Sequence, residues 1–232
     1  MNTNEIITHL ESLRNDYNRE GMARFGINVD KAFGITVTYL RTLAKKIGKD
    51  HTLAIELWKT GYHEARILAT MIDEPAKVTS AQMDKWVKDF DSWDICDGCI
   101  NNLFRKTPYA IDKALKWIQS DKTFIKRAGF AMIAVLAVHD KQSEDEIFTE
   151  YLELIKEKSD DERNFVKKAV NWALRQIGKR NLYLNKEAVK TAKEILKTGT
   201  KSGKWIACDA LRELQGEAIK SRISEKKYRK IL

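Results

Sequence analysis

Apolar residues recur along the chain at intervals of three and four rather than two, the spacing that puts them on one face of a helix. Read this way, the pattern predicts helices near 3–19, 36–47, 51–59, 62–73, 79–90, 93–104, 107–118, 121–138, 143–157, 161–178, 183–197, 201–215 and 218–230. Thr79 or Ser80, Thr107 followed by Pro108, and Ser143 followed by Glu146 have the character of helix starts, the last matching a reciprocal capping pattern. The two prolines, Pro75 and Pro108, and most of the 11 glycines fall between amphipathic stretches. So many short helices imply an all-α solenoid or bundle.

One segment is repeated. KRAGFAMIAVLA, from Lys126 to Ala137, is echoed by KKAVNWALRQIG, from Lys167 to Gly178, and more faintly by KWIACDALRELQG, from Lys204 to Gly216. Those intervals fit helical pairs of the HEAT type, in which each pair buries its apolar face against the next and a concave surface is left for binding. A single repeat domain spanning 1–232 is the simplest organisation, since no linker or low-complexity tract divides it. The final stretch, KSRISEKKYRKIL, keeps Ile219, Ile223, Tyr228 and Ile231 at roughly helical spacing and reads as a closing helix.

Charge then narrows the partners. Lys and Arg number 42 against 33 Asp and Glu, a net charge of +9 that suits a polyanion without choosing among DNA, RNA and anionic lipid. The opening MNTNEIITHLESLRND has no basic segment followed by an apolar core, and no window is apolar enough to span a membrane, so a cytoplasmic protein is expected. Three cysteines, two of them close together in one helical segment, fit reduced thiols, and no disulfide is assigned.

The sharpest local feature is DSWDICDGC, where Trp93 and Asp97 stand four residues apart and fall on one helical face. An aromatic plate beside a carboxylate suits a cationic target. The ring attracts a cation by roughly 0.5–2 kcal/mol, and a carboxylate 4 Å away adds about 4 kcal/mol at an effective dielectric near 20. Taken alone, the pair reads first as a core tryptophan with a locally bonded aspartate. Arg127, in the first echoed segment, and Trp172, in the second, extend it to a set of four.

On these residues the chain resembles the AlkD-like DNA alkylation-repair glycosylases. WDICD is similar to their Trp-Asp-x-x-Asp motif, FIKRAGFAMIAVL to their arginine-bearing helix and NFVKKAVNWALRQIGKRN to their tryptophan-bearing helix, with order and spacing kept over roughly residues 30 to 215. The resemblance implies a HEAT-like fold with a concave basic groove for duplex DNA. It also implies hydrolysis of the glycosidic bond of 3-methyladenine and 7-methylguanine, with no metal or cofactor and without the base flipping common among base-processing enzymes. By the same resemblance Trp93 and Trp172 would pack against the damaged nucleotide, Asp97 would stabilise the sugar cation and position water, and Arg127 would hold the backbone. Cys96 and Cys99 depart from the familiar family pattern.

Other motifs carry less. Cys96 and Cys99 form a lone CxxC with no histidine at ligand spacing, and His9, His51, His63 and His139 are scattered, so packing and structural roles are expected and no metal site. GxxxxGK[ST], GxGxxG and GxSxG are absent. Trp205 and Asp209 repeat the spacing of Trp93 and Asp97 in the last repeat and read as an echo of the repeat architecture. Lys45, Lys46, Lys126, Lys167, Lys168, Arg175, Lys179 and Arg180 are expected near phosphates, with Arg163 and Lys204 behind them. Three readings follow: a monomeric glycosylase on double-stranded DNA containing alkylated bases, a non-catalytic HEAT-like protein binding damaged or branched DNA, or a peptide-binding helical scaffold.

Overall fold

The computed structural model describes the backbone of residues 1–229 and the side chains as far as residue 223. All regular structure among the described residues is helical. The chain divides into two compact units, Met1–Ala110 and Ile111–Leu232.

The first unit holds α1 (Thr3–Ser12), α2 (Asp16–Arg24), α3 (Val37–Ile47), α4 (His51–Lys59), α5 (His63–Ile72), α6 (Ser80–Trp86) and α7 (Trp93–Asn102), with single 3₁₀ turns at Pro75–Lys77, Val87–Asp89 and Phe104–Lys106. Helix α5 is its axis. Ala65, Ile67, Leu68, Ala69 and Ile72 are buried along it, and α3, α4 and α7 pack around it. Trp58 and Trp86 stack with ring centroids 4.0 Å apart, and the Trp58 indole N–H donates to Asp89 at 2.8 Å, so the large rings fill the core and the polar edge is satisfied.

Buried Glu64 fastens the loop ahead of α3 to this axis. Its carboxylate accepts the backbone N–H groups of Phe33, Gly34 and Ile35 at 2.9, 2.7 and 3.1 Å. Gly34 is required there, since its φ is +82° and a Cβ would sit 2.2 Å from the Asn15 carbonyl oxygen.

The second unit opens with α8 (Ala110–Ile118) and continues through α9 (Thr123–His139), α10 (Asp145–Glu157), α11 (Asn164–Gly178), α12 (Leu182–Lys197), α13 (Lys201–Leu214) and α14 (Glu217–Arg229). The three echoed segments are α9, α11 and α13, and they are neighbours: α9 packs along α11 and α11 on α13, while α10 packs on α12. That alternation is the HEAT-like arrangement the repeat implied. Helix α9 is buried from Lys126 to Ala137. It reaches α8 through Gly129, where a Cβ would lie 2.7 Å from the Ile118 nitrogen and 2.9 Å from the Ala114 carbonyl.

Short polar side chains set many helix starts. Asn2, Asn15, Thr36, Asp50, Thr79, Asn181 and Thr200 each accept the backbone N–H three residues on. Asn15 also corrects the first predicted helix: the span 3–19 is two helices, because the Asn15 side chain caps α2 while α1 closes at Leu13. Ser143 is not a helix cap. It bonds back to Asp140, whose carboxylate accepts the Ser143 hydroxyl at 2.6 Å and the N–H groups of Gln142 and Ser143, and α10 starts after Glu144. Thr107 likewise turns inward, its buried hydroxyl donating to the Phe104 carbonyl at 2.8 Å. Ile223 is buried on α14 as expected, whereas Tyr228 and Ile231 lie outside the described side chains.

Candidate nucleic-acid interface

Helix α7 sorts its residues by face. Ile95, Cys96, Cys99 and Ile100 are buried, while Trp93 and Asp97 share the opposite side and are half-buried. The Trp93 indole N–H donates to the Phe25 carbonyl at 3.2 Å. Asn28 adds two bonds to the turn before α7, from its backbone N–H to Ser92 at 2.9 Å and from its amide to Asp91 at 3.0 Å. The loop after α2 is thereby pinned beside Trp93, and it carries the Phe25 ring, 74% exposed. Periodicity missed Phe25 because it belongs to no apolar stripe; its signal was an aromatic residue followed directly by glycine just past a short helix.

The CxxC packs into the core. Both thiols are fully buried, and burial with the neighbouring Cys96 pushes the Cys99 thiol well above its ordinary value, which disfavours a thiolate. Among the described residues no three His, Cys, Asp or Glu side chains gather as a metal-binding group.

A buried hydrogen bond holds the first turn of α7. His63 Nε2 lies 2.8 Å from Asp94 Oδ2, with the ring almost wholly enclosed. Burial pulls the imidazole pKa down, but the bond to Asp94 and the charges of Asp94, Glu64 and Asp91 outweigh it and raise the pKa overall. His51 makes a comparable contact with buried Asp73 at 2.7 Å, and His9 with the Tyr39 hydroxyl at 2.6 Å, so these histidines are structural.

In the second unit Arg127 is only 6% exposed and donates from Nη1 to the Phe165 carbonyl at 2.7 Å, tying α9 to the start of α11. Trp172 is half-buried on α11, and its neighbour Asn171 donates to the Ile206 carbonyl of α13 at 3.1 Å. The starts of α9, α11 and α13 form one linked row. Arg163 donates to the Asp121 carbonyl and to Asp161, Lys126 reaches Asp161 at 3.3 Å, and Ser202 bonds to Glu162 and to the Ser159 carbonyl. Although burial works against it, hydrogen bonds from Arg163 and Lys126 take the Asp161 carboxyl down to about 2.

The basic residues divide into two groups. Lys45, Lys46 and Lys168 are exposed, and the Lys167 ammonium sits 5.3 Å from the centroid of the Trp205 ring. Lys126, Arg175, Lys179 and Arg180 are committed internally. Arg175 and Lys179 both bond Glu213 at 2.6 Å, and Arg180 lies 3.9 Å over the Phe148 ring while donating to the Ala137 and Asp140 carbonyls. Each of these four contacts ties one helix to a neighbouring segment. No helix among the described residues is long and apolar enough to cross a membrane.

The family model described as DNA alkylation repair enzyme matches residues 6–214. The chain belongs to that family. It is 25% identical over 175 residues to uncharacterized protein Lin0241 of Listeria innocua, covering 74% of this chain and 76% of the relative. Its fold matches a solved structure described as a new family of proteins related to the HEAT-like repeat DNA glycosylases with affinity for branched DNA structures. The TM-score is 0.76 at 24% identity, covering 84% of this chain and 83% of the other. The resemblance to AlkD-like proteins is therefore borne out for family and fold.

Proposed function

We propose that this protein, as a monomer without metal or cofactor, hydrolyses the N-glycosidic bond of cationic purines of the 3-methyladenine and 7-methylguanine type in double-stranded DNA, leaving the base unflipped. The observation that carries this reading is the pairing of Trp93 and Asp97 on one accessible side of α7, with Ile95, Cys96, Cys99 and Ile100 of the same helix buried in the core. Alkylation leaves the purine positively charged, so it departs with the bonding electrons as a neutral base and needs no proton from the protein. As the C1′–N bond breaks, positive charge moves onto the deoxyribose, which then adds hydroxide from water and releases a proton. A carboxylate fixed in advance beside that sugar lowers the barrier more than it stabilises the ground state.

Within this proposal Asp97 stabilises the sugar cation and orients water, and Trp93 offers an aromatic face, with Phe25 as a second one beside it. Trp172 and Arg127 take the roles of nucleotide packing and backbone holding. The low exposure of Arg127 fits a guanidinium fixed in advance rather than a freely moving surface charge.

A second reading, non-catalytic binding of damaged or branched DNA, is favoured by the branched-DNA affinity described for the proteins of the matching fold. Release of 7-methylguanine and 3-methyladenine from methylated duplex DNA, followed by chromatography, separates the two. Release by the wild type that falls by orders of magnitude in Asp97→Asn supports excision. Undiminished DNA binding by both with no base released from either overturns it and leaves the second reading.

A further inference from the structure

We propose that Trp205 and Lys167 form a further DNA-contacting subsite, one that stacks an unpaired nucleobase on the indole and meets its phosphate with the ammonium. The inference rests on the DNA-binding part of the function proposed above and is independent of base excision. Of the six tryptophans, Trp58, Trp86 and Trp117 are buried, Trp93 and Trp172 are half-buried, and Trp205 is the most exposed, at 41%. Helix α13 itself is firmly seated, through Ile206, Ala207, Ala210 and Leu214 in the core and through the Ser202 bonds to Glu162 and Ser159. The exposure of Trp205 therefore does not come from a loosely held helix.

What surrounds the ring identifies the occupant. Lys167 reaches across from α11 to sit 5.3 Å from the ring centroid, and among the described residues it forms no ion pair. Lys201 stands four residues before Trp205 on the same helical face, and Lys168 and Lys204 are exposed nearby in sequence. The nearest carboxylate along the helix, Asp209, is already neutralised by Arg175 at 3.6 Å and by Arg212. The surface is thus an exposed aromatic plate with the Lys167 ammonium over the ring and further exposed lysines along its helix. Indole faces stack any nucleobase, and the flexible Lys167 side chain can swing from the ring to the phosphate that follows the base. Bases inside a duplex are already stacked and present no free face, so the fitting occupant is an unpaired nucleotide at a flap, fork or gap.

The test compares two fluorescently labelled DNAs of the same duplex sequence, one blunt and one with a single-stranded thymine flap, by anisotropy titration at fixed salt. Wild type should bind the flap more tightly. Trp205→Ala should weaken flap binding by about fivefold or more while moving blunt-duplex binding less than about twofold, and Trp205→Phe should keep most of the flap affinity. Equal flap binding by wild type and Trp205→Ala overturns the inference, as does equal weakening of both DNAs. Failure of the wild type to bind either DNA would instead remove the DNA-binding reading on which the inference rests. Unchanged thermal unfolding of both variants shows that the comparison reads the surface and not the fold.

Discussion

Nε2 of His63 lies 2.8 Å from Oδ2 of Asp94, joining the first turn of α5 to the first turn of α7, one residue from Trp93. Because the folded-state pKa is raised above the ordinary value of 6.5, the protonated pair contributes its full stabilisation below that value and loses it as pH rises through the folded-state pKa. Wild type should therefore lose stability as pH rises above 6.5 relative to Asp94→Asn, in which the pH dependence should flatten. Urea unfolding of both proteins across that range checks this; parallel curves would remove the assigned role of the pair.

Glu64→Gln keeps the size of the side chain but replaces one accepting oxygen by an NH₂ group, which cannot accept from the N–H groups of the 33–35 loop. Leaving a buried backbone donor unpaired should cost about 2 kcal/mol in denaturant unfolding. Amide exchange should quicken at Phe33, Gly34 and Ile35 before it does in α11.

Gly129→Ala places a methyl group 2.7 Å from the Ile118 backbone nitrogen, and backbone cannot swing aside as a flexible side chain would. Overpacking of this kind should cost about 1–3 kcal/mol, against the small gain alanine brings to an isolated helix. Calorimetric melting decides between the two signs.

Two basic residues should behave oppositely. Lys168→Ala should leave unfolding unchanged and, if the lysine meets a phosphate, flatten the dependence of log Kd on log salt by roughly 0.9. Arg180→Ala should cost about 2–4 kcal/mol of stability, since it removes the contact with Phe148 and the bonds to the Ala137 and Asp140 carbonyls. A salt-slope change without a stability loss for Arg180→Ala would instead support a phosphate contact for that residue.

The sequence alone specifies the all-helical class, most helix spans and the pairing of α9, α11 and α13, because amphipathic spacing and capping are local properties written in a few consecutive residues. It placed Trp93 and Asp97 on one side of α7 for the same reason. It misjudged the break at Leu13 and the role of Ser143, where a side chain bonded locally in a way that competes with the capping pattern.

Only the tertiary structure decided what each charge does. Lys126, Arg180 and Lys168 are alike in sequence terms, yet the first meets Asp161, the second caps carbonyls far along the chain, and the third faces solvent. Partners of this kind lie tens of residues apart, and no periodic pattern encodes them. The same holds for His63 with Asp94, for Trp93 with the Phe25 carbonyl, and for the exposure of Trp205. Helix formation is fixed by neighbours in the chain, whereas the free energy of a charge or an aromatic face depends on which distant groups the packed helices bring against it.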